Sequence, residues 1–337
     1  MNRGAPESAR ALVERVFRAL ADGHFHSGEE LAQRLGVSRS AVWKAANTLR
    51  ELGSTVHAVR NRGYRLAGAG EPLDAVLIRE ALSRGLRPRL RHIEVAWTVT
   101  STNTVLLERG APPQGECEVA LAEFQSAGRG RRGRAWFAPP GGAVCLSMSW
   151  TFPQVPRDVG SLSLAIGVCM LRALSRLGIS GLHLKWPNDV LSGDAKLGGI
   201  LIELRAEAAG PACAVIGVGL NVALGAALIA RINATGVAAT DLSTAGTSRP
   251  ARNAIAAQVI ESCIGGLLEF EREGLRAFME EWRHADALRG RTVTVSNGEE
   301  RTRGLARGVD VTGALLVEAP QGVRKFVAGE VSVRPLA

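Results

Sequence analysis

The chain has 337 residues, 46% of them hydrophobic and 22% charged, which excludes a single small module or a polar unstructured chain and leaves room for two or three domains. Five cysteines, Cys117, Cys145, Cys169, Cys213 and Cys263, are odd in number and widely spaced, which excludes a disulfide framework or a C-x-x-C metal pair and points to a reducing cytoplasm. The net charge is +9, and about half the excess lies in residues 1–68, where eleven Arg and Lys face six Asp and Glu, so the acidic partner this implies is nucleic acid at the N-terminal end.

The start of the chain shows no secretory signal pattern. The uncharged, mostly apolar run Val159 to Leu171 has 13 residues, short of the roughly 20 that cross a bilayer, and reads as a buried helix, so no membrane partner is expected. His24 and His26 stand close together without a Cys or carboxylate partner at metal-ligand spacing and read as ordinary surface.

In chain order, Leu12, Val13, Val16, Phe17 and Leu20 mark one face of a helix over 9–21. Ser27 precedes Glu30 by three residues, the spacing of a capping box, and opens a short second helix that ends at Gly36. Val37 and Ser38 turn into a third helix, Arg39 to Leu52, with Ser38 as cap and Ala41, Val42, Ala45, Ala46 and Leu49 for the core. Two short strands over 56–66 turn at Asn61-Arg62-Gly63 and project Arg60, Arg62 and Arg65 as a basic wing. The succession is that of a winged helix-turn-helix over residues 1–68, whose third helix enters the major groove. Ser38, Arg39, Ser40, Trp43, Lys44, Asn47 and Arg62 are the candidate DNA contacts, since Arg and Lys suit phosphates and guanine edges and Asn suits adenine. For Trp43 a packing role is an equal alternative.

Ala67 to Pro72 is small, Gly-rich and aperiodic, a linker. Residues 69–286 then read as an α+β domain. An alternating, half-buried strand over 144–150, a helix from Ser161 to Leu177 closed by Gly178, and strands over 182–185, 199–204 and 214–222 are joined by short turns such as Ser192-Gly193-Asp194, which favour a mixed or largely antiparallel sheet. Residues 287–337 turn all-β, with strands near 291–295, 301–309, 314–318 and 323–327, and suit a small β-barrel. The fold class is therefore multidomain α+β.

Three stretches carry chemistry. Gly128-Arg129-Gly130-Arg131-Arg132-Gly133-Arg134 follows a strand and Gln125-Ser126-Ala127. Its glycines let backbone amides approach an anion and its guanidiniums neutralise phosphate, so the loop can cradle a polyphosphate; a flexible basic loop or a second nucleic-acid contact is the competing reading. No G-x-x-x-x-G-K-[ST] occurs, which excludes a P-loop nucleotidase. Lys185-Trp186-Pro187-Asn188-Asp189, followed by Lys196-Leu197-Gly198-Gly199, holds two of the four lysines in a chain that otherwise uses arginine. Asn188 and Asp189 offer oxygens to Mg2+ or a carboxylate base, against the alternative of a plain Pro-Asn-Asp turn. Gly217-Val218-Gly219-Leu220-Asn221 has part of a dinucleotide fingerprint but lacks its third glycine and an immediate helix, so a Rossmann site is not expected.

Taken in this order, the motifs resemble the bifunctional biotin–protein ligases that double as biotin operon repressors. The resemblance rests on Ser101-Thr102-Asn103, Glu123-Phe124-Gln125, the GRGRRGR loop with Trp136-Phe137, KWPND, KLGGIL, GVGLN, Arg307-Gly308-Val309-Asp310 and Gly329-Glu330, with Ser27 to Leu49 matching in the N-terminal part. It implies a two-step reaction: the biotin carboxylate attacks the α-phosphate of ATP, giving biotinyl-adenylate and pyrophosphate, and a lysine of a biotin carboxyl carrier protein then attacks the acyl carbon. It also implies that biotin and the adenylate are held by Ser101, Thr102, Asn103, Gln125, the loop Gly128, Arg129, Gly130, Arg131, Arg132 and Gly133, then Trp136, Lys196, Gly198, Gly199, Gly217, Gly219 and Asn221, with the loop ordering over the intermediate to exclude water. Arg131, Lys196 and Asp189 are the implied catalytic residues. Lys196 steadies the charge that develops between carboxylate and phosphate, and Asp189 aids deprotonation of the incoming lysine. Glu330 and Arg334 are implied to close over the nucleotide.

ATP, biotin and Mg2+ are the implied cofactors, operator DNA the second partner, and a homodimer formed on adenylate binding the implied regulated state. Two positions depart from the family pattern: Thr100 stands where many relatives have an acid, and Ala45-Ala46-Asn47 puts small residues where they bear on which operator is read. A lipoate or octanoate transferase and a non-catalytic biotin-sensing repressor are the alternatives.

Overall fold

The structure, a computed structural model, describes residues 7–68, 71–156, 159–206, 211–245, 250–297, 300–327 and 331–335. Three helices, α1 (Glu7–Leu20), α2 (Gly28–Leu35) and α3 (Arg39–Glu51), precede a hairpin of β1 (Val56–Val59) and β2 (Gly63–Leu66). Their apolar faces, including Val16, Phe17, Leu31, Val42 and Leu49, close into a core separate from the rest of the chain. Local chemistry sets the helix ends: Ser27 accepts from the Glu30 amide at 3.0 Å, Gly36 takes the left-handed conformation, and Ser38 accepts from the Ala41 amide at 3.2 Å.

His26 has carboxylate partners, contrary to the sequence expectation, because four-residue spacing on either side brings Asp22 to 2.9 Å from Nε2 and Glu30 to 3.6 Å from Nδ1. Slight burial works against the Asp22 carboxylate, but the His24 amide and the His26 ring outweigh it and hold the group below its ordinary range. The His26 backbone exchanges both hydrogen bonds with Tyr64 of β2, and a Cβ at Gly63 would fall on the His26 carbonyl, so glycine is required where the wing meets this segment.

The central region comprises α4 (Ala75–Ala81), β3 (Leu90–Val99), α5 (Thr102–Glu108), β4 (Cys117–Gln125), β5 (Ala143–Phe152), α6 (Leu162–Arg176), β6 (Leu182–Lys185), β7 (Asp189–Ser192), β8 (Ala195–Ala206), β9 (Ala212–Asn221), α7 (Ala226–Asn233), α8 (Leu242–Ala245), α9 (Arg252–Glu273) and α10 (Met279–Ala285). The strands form one seven-stranded mixed sheet, ordered β3-β4-β5-β9-β8-β7-β6, in which β3 and β4 are parallel and the other neighbours antiparallel. Helices α6 and α9 pack together over one face and α5 covers part of the other. For this reason β5 is buried on both faces and not on one: Ser147, on its second face, donates to Thr102 and Asn103 of α5. The apolar segment at 159–171 is core, with ten residues of α6 buried.

Arg252 of α9 and Glu123 of β4 form an ion pair at 2.9 Å whose side chains are 1% and 2% exposed. The remaining valences of this buried pair are filled by backbone: Arg252 donates to the Ala143 carbonyl, and Glu123 accepts from the amides of Leu73 and Gly141. The start of the central region is thereby fastened to its core. All five cysteines are free and buried, and burial pushes the Cys117 and Cys169 thiols up to about 12.

The last strands, β10 (Thr292–Asn297), β11 (Glu300–Val309), β12 (Leu315–Ala319), β13 (Gly322–Phe326) and β14 (Val331–Pro335), form an antiparallel sheet ordered β13-β12-β11-β10-β14. β14 is a strand that the sequence pattern does not announce. Val293, Leu315 and Val317 of this sheet belong to the same core as α6 and α9, and Trp186 donates to the Gly313 carbonyl at 3.0 Å.

Candidate functional site

A cleft of about 930 Å³ opens on the α5 side of the large sheet. Its floor is β8 and β9, where Gly199 and Gly219 pair across the strands and Gly217 pairs with Leu201. The reasons for glycine are steric. A Cβ on Gly219 would lie 2.5 Å from the Trp136 indole, and one on Gly217 would lie 2.3 Å from Asn103 Oδ1. A Cβ on Gly199 would come to 3.1 Å from Lys196 Cε and Nζ. These glycines seat side chains of this chain and are not a dinucleotide turn.

The inner wall is the start of α5. Gln125, at the end of β4, accepts from the Thr102 amide at 2.8 Å and from its hydroxyl at 3.2 Å, which satisfies a donor left free at the helix start. Asn103 accepts from Ser147 and donates to Glu203 at 2.7 Å.

Across the floor, Lys196 Nζ lies 2.6 Å from Asp189 Oδ1 and 5.6 Å from the centre of the Trp136 ring. Asp189 is the first residue of β7, beyond a turn that contains the cis Trp186–Pro187 peptide, and the short β7–β8 hairpin returns Lys196 beside it. The Lys196 backbone pairs with Ala238 and Thr240, which brings the segment after α7 over the cleft.

The basic loop forms an irregular hairpin. Gly130 donates to the Arg134 carbonyl, Trp136 to the Gly128 carbonyl, and Arg132 takes φ 59° between them. Arg131 is half-buried and donates to Asn188 Oδ1 at 3.4 Å, and burial lowers its pKa despite the nearby Asp189 carboxylate. Arg129 ion-pairs with Glu203 at 2.9 Å, as Lys196 does with Asp189, and Arg131, Arg132 and Arg134 also line the cleft.

Most motif residues meet in this cleft. Ser101, Thr102, Asn103, Gln125, Arg129, Gly130, Arg131, Arg132, Trp136, Asn188, Asp189, Lys196, Gly199, Gly217, Gly219 and Asn221 line it. Gly128, Gly133 and Gly198 do not: a Cβ at Gly128 would meet the Trp136 carbonyl, Gly133 sits at φ +70° in the turn, and Gly198 faces the core near Met170. Val333 of β14 reaches the cleft, whereas Glu330 and the Arg334 side chain lie outside the described residues. Motif reading missed Glu203, which pairs with Arg129, and Leu228, Ile232 and Val237 of the cleft lining; these three carry no motif, and the segment after α7 is held by backbone pairing to Lys196.

For Mg2+ the donor set fits poorly. Asn188 Oδ1 accepts from Arg131, Asp189 is paired with Lys196, and no group of three or more His, Cys, Asp or Glu suited to a metal occurs among the described residues.

The second surface is the outer side of α3. Arg39, Ser40, Trp43 and Lys44 are exposed there, the indole 54% exposed, which sets aside the packing role for Trp43. Asn47 is half-buried and its amide oxygen accepts from Arg50 at 2.7 Å, while the Ser38 hydroxyl caps α3. In the wing, the Arg62 and Arg65 guanidiniums lie 4.3 Å and 5.0 Å from the Phe25 ring centre.

Known proteins are similar to the chain over both regions. A helix-turn-helix domain model matches residues 14–65, a model of the biotin/lipoate A/B protein ligase family matches residues 95–221, and a biotin protein ligase C-terminal domain model matches residues 289–334. The chain is 40% identical over 316 residues to a bifunctional ligase/repressor of Salmonella typhimurium, covering 94% of this chain and 95% of that protein. It is 38% identical over 321 residues to that of Escherichia coli, covering 95% and 96%. A solved biotin protein ligase from Aquifex aeolicus, in complex with biotin and ATP, matches in fold with a TM-score of 0.61 at 24% identity, over 73% of this chain and 100% of that one.

Proposed function

The chain belongs to the bifunctional ligase/repressor family of biotin protein ligases, and from that premise we propose how its cleft and its third helix divide the work. It is a biotin–protein ligase joined to a helix-turn-helix repressor domain: it condenses biotin with ATP and transfers the biotinyl group to a lysine of a carrier protein. One juxtaposition supports the assignment of roles within the cleft. Lys196, oriented by Asp189, stands beside the Trp136 indole over a glycine floor, under a loop rich in arginine.

Biotin lies along the floor between Trp136 and the α5 wall, with its carboxylate directed to Lys196. A carboxylate oxygen attacks the α-phosphorus, the bond to the β-phosphate oxygen breaks, and pyrophosphate leaves; Lys196 and Arg131 stabilise the added negative charge as it forms. The loop excludes water from the mixed anhydride. The carrier lysine then loses a proton, with Asp189 as acceptor, its nitrogen attacks the acyl carbon, and AMP departs. Asn188 and Asp189 are engaged by Arg131 and Lys196, so neither is assigned to hold Mg2+.

Residues 1–68 bind operator DNA through Ser38, Arg39, Ser40, Trp43, Lys44 and the wing, residues 69–286 carry the ligase, and residues 287–337 close a small barrel against it. The protein works in the cytoplasm, and adenylate binding orders the cleft loops so that two subunits pair and present two wings.

Incubation with ATP, Mg2+, labelled biotin and a carrier domain tests the ligase: the expected result is label on the carrier with adenylate as intermediate, and tight biotin binding without adenylate would leave a sensor-only repressor. An acyl-group assay by mass spectrometry separates biotin from lipoate or octanoate. Sedimentation that is unchanged by biotin plus ATP would sink the dimer.

A further inference from the structure

Glu203 belongs to no motif, yet one oxygen of its half-buried carboxylate accepts from Asn103 Nδ2 at 2.7 Å and from Arg129 at 2.9 Å. It stands on β8 two residues past Leu201, whose carbonyl also accepts from Asn103. Asn103 in turn fills the space over Gly217. A single acid on the sheet therefore joins the basic loop and α5, two separate segments of the cleft wall.

We propose that Glu203 is a positioning residue that latches the basic loop: its charge pins Arg129, and its bond to Asn103 keeps the inner wall in register with that loop. The inference rests on the reading of the loop as cover for biotin and the adenylate. A carboxylate is needed because the contact to Arg129 is charge-assisted on both sides, whereas an amide would keep an acceptor for Asn103 and lose the charge. Arg129 thus serves the cleft through its attachment and not through contact with phosphate.

The test is the release rate of preformed biotinyl-adenylate from the full-length protein, compared among wild type, Glu203→Gln, Arg129→Gln and the double variant, with a thermal melt on each. Each single change is expected to speed release roughly fivefold, the scale of one partly exposed ion pair, and the double variant to release no faster than the singles because both remove the same contact. A structural role for Glu203 would instead lower the melting temperature and add its effect to that of Arg129→Gln, which would overturn the latch. Unchanged release from Glu203→Gln would overturn it as well, while the ligase reading would stand so long as wild type makes adenylate. If wild type makes none, the ligase reading fails and takes the latch with it.

Discussion

The outer face of α3 draws its side chains from the short stretch between Arg39 and Asn47, whereas the cleft collects residues from Ser101 to Val333. On the helix, Arg39, Ser40, Trp43 and Lys44 are exposed, and Asn47 is tied back to Arg50. In the cleft nearly every side chain is set by another: Thr102 by Gln125, Asn103 by Ser147 and Glu203, Lys196 by Asp189, Trp136 by the bare backbone of Gly219. A surface of independent groups acts through summed charge, so changes there should stay local and add. An interlocked cleft should pass a change at one residue to residues it never touches.

The largest effect is expected from Lys196→Gln, which removes the ammonium proposed to face the reacting carboxylate and should slow adenylate formation by about 100-fold or more in pyrophosphate exchange. A loss under tenfold would shift the charge-stabilising role to the loop arginines. Gly219→Ala is the sharper test of interlocking, since a methyl group there displaces the indole. Overpacking of this kind costs about 1–3 kcal/mol, so biotin affinity by calorimetry should fall roughly tenfold, with a shift in tryptophan fluorescence. Unaltered affinity would mean that the ring and floor are not coupled.

On the helix, Arg39→Ala and Lys44→Ala should each weaken operator binding and reduce the slope of log affinity against log salt by about 1, and together by about 2. A double variant that departs from this sum would break the contrast between the two surfaces. The smallest effect should lie outside both. Partial burial acts against the Asp310 carboxylate, but bonds from the Thr312 hydroxyl, Lys325 and the amides of Thr312 and Ala314 hold its pKa down to about 2. Its folded pKa is below the unfolded value of 3.8, so the stabilisation is present above about pH 4 and lost as pH falls toward 2. The gap in melting temperature between wild type and Asp310→Asn should therefore close over that range.

The same contrast decides what the sequence discloses. The caps at Ser27 and Ser38 and the apolar face of α1 are legible because their partners lie within four residues. The ordered motifs of the cleft are legible as a set, since Lys196, Asp189, Gly217 and Gly219 all arrive at one place. Their individual tasks are not. The sequence does not show that Trp136 and Asn103 lie above the glycines, or that Arg129 pairs with Glu203. The strand at 144–150 reads as half-buried because nothing in its own alternation shows that α5 covers the second face. α9, packed against both the sheet and α6, is apolar around much of its circumference and leaves no clean stripe to read.

The glycine floor also limits how the substrate range of this enzyme can be altered. Gly217 and Gly219 are already as small as a residue can be, and the volume above them belongs to Asn103 and Trp136, so no substitution at either position can widen the cleft. With biotin placed as proposed, room for an analogue with a bulkier ring would come from shortening Trp136, which would bare the β9 backbone and at the same time remove the aromatic neighbour of Lys196. Broader acceptance and adenylation rate are therefore coupled through one side chain, and an engineered variant that gains the first should need a second change near Lys196 to recover the other.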